Sequence, residues 1–146
     1  MRVRLTDAEV VPLLTDLNRE YTLRYGGGDD VLDDNAADFA APGGGFIVLR
    51  DGGVTVAGGG IRRFDAETCE AKRLWTNPAY RRQGHAVAVL GELEDLGREL
   101  GYTRLRLETG YAQPEALAMY RGIGYREIGN YGIYPRATGF ERTLTP

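Results

Sequence analysis

Between residues 69 and 109 the spacing of apolar residues changes twice, and this change limits what the chain can become. "CEAKRLWT" reads as a strand and ends at Asn77-Pro78. From Gly84 to Leu100 the apolar residues Ala86, Val89, Leu90, Leu93, Leu96 and Leu100 recur at three and four. That spacing is one face of a helix of about four turns. Gly101 follows as a C-cap candidate. "TRLRLET" then alternates, with Leu105 and Leu107 on one buried face. A helix held between two strands belongs to a mixed α/β domain.

The flanking segments extend the same pattern. "MRVRLT" reads as a short strand, and Thr6 with Glu9 reads as a capping box opening a helix that runs to about Tyr25. Pro12 either sits in the early turns of that helix or kinks it. "GGGDDVLDDN" is a loop. "FIVLR" and "VTVAGGGIRRF" flank "DGG" and form a hairpin. "QPEALAMYRGIGY" reads as a helix with proline in its first turn, Ala116, Leu117 and Tyr120 inward, and a glycine stop. "YREIG" and "GFERTLT" are the final strands, joined by the loop "NYGIYPRAT". The order is β-α-(α)-ββ-β-α-β-α-β-β, without repeat or interdomain linker, and residues 1–146 read as one domain.

Composition excludes several classes. A hydrophobic content of 42% with 27% charged residues is that of a globular chain. No apolar run approaches the ~20 residues that span a bilayer, and "MRVRLTDAEV" lacks a secretory apolar stretch, so no membrane or export role is expected. Cys69 is the only cysteine, cannot form an internal disulfide, and fits a reducing cytoplasm as a small buried hydrophobe. The net charge is −3 and there is no basic tail, so no nucleic-acid partner is expected. His85 is the only histidine, and no second histidine or cysteine stands beside it to share a metal ion.

The turn "YRRQGHA" lies where the strand gives way to the long helix. The first turn of a helix leaves backbone N–H groups unpaired and carries partial positive charge, so an anion, above all a phosphate, is stabilised there. Gly84 and Ala86 permit close approach, while Arg81 and Arg82 add charge and hydrogen-bond donors. On these features alone, a solvated basic turn and a phosphate cradle are equally good readings.

The stretch Arg81-Arg82-Gln83-Gly84-His85-Ala86 resembles the acyl-CoA signature of the GNAT superfamily of N-acetyltransferases, Arg/Gln-x-x-Gly-x-Gly/Ala. "RLWTNP" resembles the strand that pairs with the pantetheine arm in that family. The segment from Gln113 to Tyr125 is similar to its second acyl-CoA helix and the strand after it. Ala86 stands where glycine is more usual, and Gln113 where asparagine is commoner. The resemblance implies a central mixed sheet flanked by helices and splayed between "CEAKRLWT" and "TRLRLET". Backbone amides near Leu74, Trp75 and Thr76 would then pair with pantetheine, and those of Gln83 to Val87, including His85, would hold the pyrophosphate. The implied reaction is direct transfer of acetyl from acetyl-CoA to a primary amine of a small molecule or peptide. Members of the family often form homodimers.

That chemistry needs a base for the amine, a donor for the thioester oxygen and an acid for the leaving thiolate. By the resemblance, Tyr120 is the acid, its hydroxyl facing the CoA sulfur. Glu70 is the base candidate, and a structural partnership with Arg73 or Arg62 is the competing role. Glu108 is the second choice, and a water chain the third. Asp29, Asp30, Asp33 and Asp34, with Tyr21, Tyr25, Tyr131 and Tyr134, would suit a cationic acceptor. Three other functions fit the same residues: a protein (lysine or N-terminal) acetyltransferase, an acyl-CoA-binding sensor without turnover, and a phosphate-binding domain unrelated to CoA.

Overall fold

A computed structural model describes residues 1–26, 34–110, 114–132 and 136–145, with the side chain of Tyr25 outside the description. Seven strands form one sheet in the order β1-β2-β3-β4-β5-β7-β6. They are β1 (Arg2–Val3), β2 (Gly45–Asp51), β3 (Val54–Arg63), β4 (Thr68–Thr76), β5 (Arg104–Thr109), β6 (Arg126–Ile128) and β7 (Thr138–Thr143). Among the described residues three α-helices accompany them: α1 (Val11–Tyr25), α2 (His85–Glu99) and α3 (Pro114–Gly122). The architecture is therefore the mixed α/β sheet expected from the alternating periods. Among the described strands only β4 and β5 pair in parallel, as a helical crossover through α2 requires.

The helix ends follow local chemistry, with one exception. Pro12 occupies the first turn of α1, where its missing N–H costs nothing, so it does not kink the helix. After α2, Gly101 adopts φ 92 and donates to the Arg98 carbonyl at 3.0 Å, as a left-handed cap does. The exception is the Thr6–Glu9 capping box, which does not form. A short 3-10 turn (Ala8–Val10) intervenes, and neither it nor α1 has a side-chain cap. Asp7 instead accepts from the Arg4 amide at 2.8 Å, which turns the chain before the helix begins.

The sheet carries a core on each face. Leu13 and Leu17 of α1 pack with Phe39, Phe46, Val48 and Trp75 on one side. Val89, Leu90 and Leu93 of α2 pack with Ile61, Cys69, Leu105 and Phe140 on the other. Gly60 lets the first core close, because a Cβ there would lie 2.4 Å from the Phe46 ring.

Two irregularities in β4 decide where a ligand can enter. Its pairing with β5 covers only Thr68–Glu70 against Arg104–Arg106. Beyond Glu70 the parallel strands part, while β3 still pairs with β4 as far as Thr76. The register between β3 and β4 also slips between Gly58 and Gly60, where two steps on β3 face three on β4. The additional residue is a β-bulge, and Arg73 within it holds φ 60.

Candidate functional site

The parting strands open a cleft of about 510 Å³. Leu74, Trp75 and Thr76 of β4, Ala86, Val89 and Leu90 of α2, and Met119 and Tyr120 of α3 line it. Arg81, Arg82 and Glu20 also line it. The β4 segment past Glu70 presents backbone to this gap, because its former neighbour β5 has moved away. At its end stands the start of α2, where Gly84 is the N-cap with φ 83 and Arg82 holds φ 66. Residues in left-handed conformation flanking Gln83 turn successive amides inward, which suits an anion. A Cβ on Gly84 would meet no atom within 4 Å, so the space over the helix start is open.

The motif residues therefore converge, but several side chains have prior commitments. Arg81 is bound to Glu20 of α1 at 2.5 Å. The Trp75 indole points away from the cleft into the α1 core, donating to Asp16 at 2.7 Å. The sequence reading relied on the backbone of Trp75, and its side chain locks that backbone in place. His85 is the first residue of α2 and stands edge-on to Tyr80, with ring centroids 6.3 Å apart. Gln113 lies outside the described residues, as do Asp29, Asp30, Asp33 and Tyr134.

Tyr120 is buried on α3 against Tyr125 and Phe140, with centroids 6.0 and 5.4 Å away. Its hydroxyl makes no hydrogen bond to a described residue. Burial, with a smaller contribution from Tyr21, raises its pKa above the ordinary tyrosine value, so it remains a proton donor across the neutral range.

A second cavity, of about 670 Å³, lies at the same split. Sheet register explains its polarity. Glu70 stands opposite Arg62 on β3 and Arg106 on β5, so these residues share one face with Lys72 and Glu108. Arg62 donates through Nε to Glu70 Oε1 at 3.0 Å, and Tyr131 donates its hydroxyl to Oε2 at 2.7 Å. The pairing with Arg62, one of two partners considered for Glu70, is thus formed. Arg73 is committed elsewhere. It binds Asp34 through two hydrogen bonds, the second at 2.6 Å, and both side chains are almost fully buried. Asp34 therefore holds the bulge, which corrects its expected place in an acidic acceptor loop.

Tyr131 lies edge-on to Phe64 at 5.5 Å, and the Arg106 guanidinium lies over both rings, 4.8 Å from Phe64 and 5.0 Å from Tyr131. Burial and the adjacent Glu70 carboxylate raise the pKa of Tyr131, so its hydroxyl remains a donor. A Cβ on Gly132 would come within 2.6 Å of both Glu108 carboxylate oxygens, so this loop closes directly on the second carboxylate. Sequence reasoning missed Arg62, Lys72 and Arg106 as site residues. Their signal was the alternation of Glu70 and Lys72 with buried Cys69 and Ala71, which puts charge on one face.

Cys69 is fully buried, and desolvation pushes its thiol up to about 12, as befits a small core residue. Among the described residues no cluster of His, Cys, Asp and Glu could hold a metal, and no helix is long and apolar enough to cross a membrane.

A mixed sheet parted beside a glycine-headed helix, with a tyrosine at the gap, is the arrangement that the resemblance to the GNAT superfamily implied. Residues 11–125 match the Acetyltransferase (GNAT) family, and the chain belongs to it. It is similar to the uncharacterized N-acetyltransferase YjgM of Escherichia coli, 29% identical over 135 residues, covering 87% of this chain and 81% of that one. Its fold resembles a proposed acyl-CoA N-acyltransferase of Klebsiella pneumoniae (TM-score 0.78, 26% identity, 99% of this chain and 96% of that one). It also resembles a GNAT-family acetyltransferase of Staphylococcus aureus, with TM-score 0.79, 16% identity and 99% of both chains covered. The chain is an acetyl-CoA-dependent acyltransferase of this family.

Proposed function

We propose that the 510 Å³ cleft takes acetyl-CoA and that the cavity on the charged face presents a primary amine to it. The observation that carries this reading is the continuity between the unpaired stretch of β4 and the open start of α2. Amides of Leu74 to Thr76 pair with the pantetheine arm, and the amides from Gln83 to Val87 receive the pyrophosphate. Arg82 adds charge at the rim, and Arg81 joins it after exchanging its Glu20 partner.

Chemistry occurs where cleft and cavity meet at the split. Glu70 receives the amine proton, directly or through water, because each carboxylate oxygen keeps a second lone pair beyond the bonds from Arg62 and Tyr131. The neutral amine attacks the thioester carbonyl, an amide forms and the C–S bond breaks. Tyr120 protonates the departing thiolate, a role consistent with its raised pKa and unengaged hydroxyl. No covalent enzyme intermediate is needed.

The test is thiol release from acetyl-CoA across amines and peptides, with a no-acceptor control and a parallel binding titration. Acceptor-dependent release is expected, with Glu70→Gln slower than wild type. Tight acetyl-CoA binding without release would favour a sensor. Absence of binding would remove the cleft assignment altogether.

A further inference from the structure

We infer that Tyr131 is a positioning residue for the reaction: from the loop between β6 and β7 it holds the Glu70 carboxylate at the split, an inference that rests on the transferase reading above. Glu70 occupies the last rung at which β4 pairs with β5, opposite Arg106. It is 6% exposed, and its carboxylate is gripped through both oxygens. Arg62 of β3 binds Oε1 at 3.0 Å. The Tyr131 hydroxyl, 61 positions away in the chain, binds Oε2 at 2.7 Å. With Arg62 alone the carboxylate could still turn about its terminal torsion, which is soft in a glutamate. A second donor on the other oxygen fixes its plane.

The seat of Tyr131 is built into the sheet. Gly139 of β7 stands opposite Glu108 of β5. A Cβ on Gly139 would lie 2.9 Å from a ring carbon of Tyr131, so the missing side chain is the hollow that admits the ring. The Arg106 guanidinium lies 5.0 Å from the ring centroid, and Glu141 anchors that guanidinium at 3.1 and 2.6 Å. Phe64 meets the ring edge-on at 5.5 Å. The ring is thus fixed by β7, by Arg106 and by Phe64, with its hydroxyl aimed at Glu70.

This arrangement acts on kcat rather than on acceptor affinity. A general base must stand within hydrogen-bond reach, about 2.6–3.2 Å, of the proton it takes. A misplacement of about 1 Å can cost about a hundredfold in rate. The Tyr131 hydroxyl is committed to Glu70, so it supplies orientation and not a contact with the amine.

The experiment is a double-mutant cycle. Thiol release from saturating acetyl-CoA is followed with phenethylamine, spermidine and a tripeptide amide bearing a free N-terminus, and the fastest of these is kept as the acceptor. Tyr131→Phe keeps the ring and removes only the donor. It should lower kcat by about tenfold, the size of a lost hydrogen bond to a charged group, and change acceptor KM by less than about threefold. In a Glu70→Gln background the same substitution should lower kcat by less than about twofold, because no base is left to position. Gly139→Ala, which displaces the ring without touching Glu70, should follow the same pattern. The stoichiometry of acetyl-CoA binding counts folded enzyme in every variant, so a folding loss is divided out. Unchanged kcat in Tyr131→Phe, a loss carried by acceptor KM, or an equal loss with and without Glu70 overturns the inference, as does full activity of Glu70→Gln. If wild type fails to bind acetyl-CoA, or binds it and turns over none of the acceptors, the transferase reading falls and takes this inference with it. The wild-type controls distinguish that failure from one confined to Tyr131.

Discussion

Replacing Gly84 with alanine separates binding from folding, because a matched control exists at the other end of the same helix. Gly84 holds φ 83 and Gly101 holds φ 92, and a Cβ at either would meet no atom within 4 Å. Both substitutions therefore add backbone strain and nothing else to the free protein. An L-residue in the left-handed region costs about 1–2 kcal/mol. In a chain of this size that lowers Tm by roughly 2–8 °C. The new methyl group in Gly84→Ala projects into the space over the start of α2, where the pyrophosphate is assigned. Losing one charge-assisted hydrogen bond there costs about 1.5–3 kcal/mol, a rise in Kd of roughly tenfold to 150-fold. The assay is calorimetric titration with acetyl-CoA, alongside thermal unfolding of both variants. The expected result is similar Tm loss in both, with weak binding only in Gly84→Ala. If both variants bind acetyl-CoA equally well, or lose it equally, the cradle is wrongly placed.

Other changes probe the remaining groups. Tyr120→Phe removes a hydroxyl bonded to no described residue, so stability should hold while kcat falls about a hundredfold and KM for acetyl-CoA moves little; unchanged turnover would reject the acid role. Asp34→Asn removes the carboxylate bound to the nearly buried Arg73 guanidinium and should cost about 3 kcal/mol in denaturant unfolding; a loss below about 1 kcal/mol would show the pair does not hold the bulge. Cys69 should resist thiol reagents at neutral pH until the chain unfolds. Its folded pKa of about 12 exceeds the ordinary 9.0, so its contribution to stability is complete below pH 9.0 and is lost as pH rises towards 12. Rapid labelling of native protein at pH 7 would contradict its burial.

Much of the fold was legible because its causes are local. The three-and-four spacing from Ala86 to Leu96 predicted α2, and Val89, Leu90, Leu93 and Leu96 are indeed its buried face. Pro114 and Gly124 bracket α3 for the same reason, fixed φ at one end and a left-handed turn of φ 94 beyond the other. Thr6 misled because a capping pair is only a local competitor, and the Asp7 turn with a 3-10 start displaced it. The site was half legible. Helix-start physics left a phosphate cradle and a solvated turn equal for Arg81 to Ala86, and only the family resemblance chose the cradle and gave Tyr120 a role, while the spacing showed that Tyr120 faces inward on α3.

The partnerships were hidden. Tyr131 meets Glu70, and Arg81 meets Glu20, across 61 positions each, while Arg73 meets Asp34 across 39. Each depends on which strands adjoin and in what register, and a slip of one residue sends every side chain to the opposite face. The sequence alone determined periods, caps and the positive end of α2, because these arise from neighbours a few positions apart. Only the tertiary structure decided where β4 leaves β5, that Arg73 bulges there, and which charges remain for a ligand once others have paired. The physical reason is that burial and ion pairing act between elements brought together by the sheet, not between neighbours in the chain.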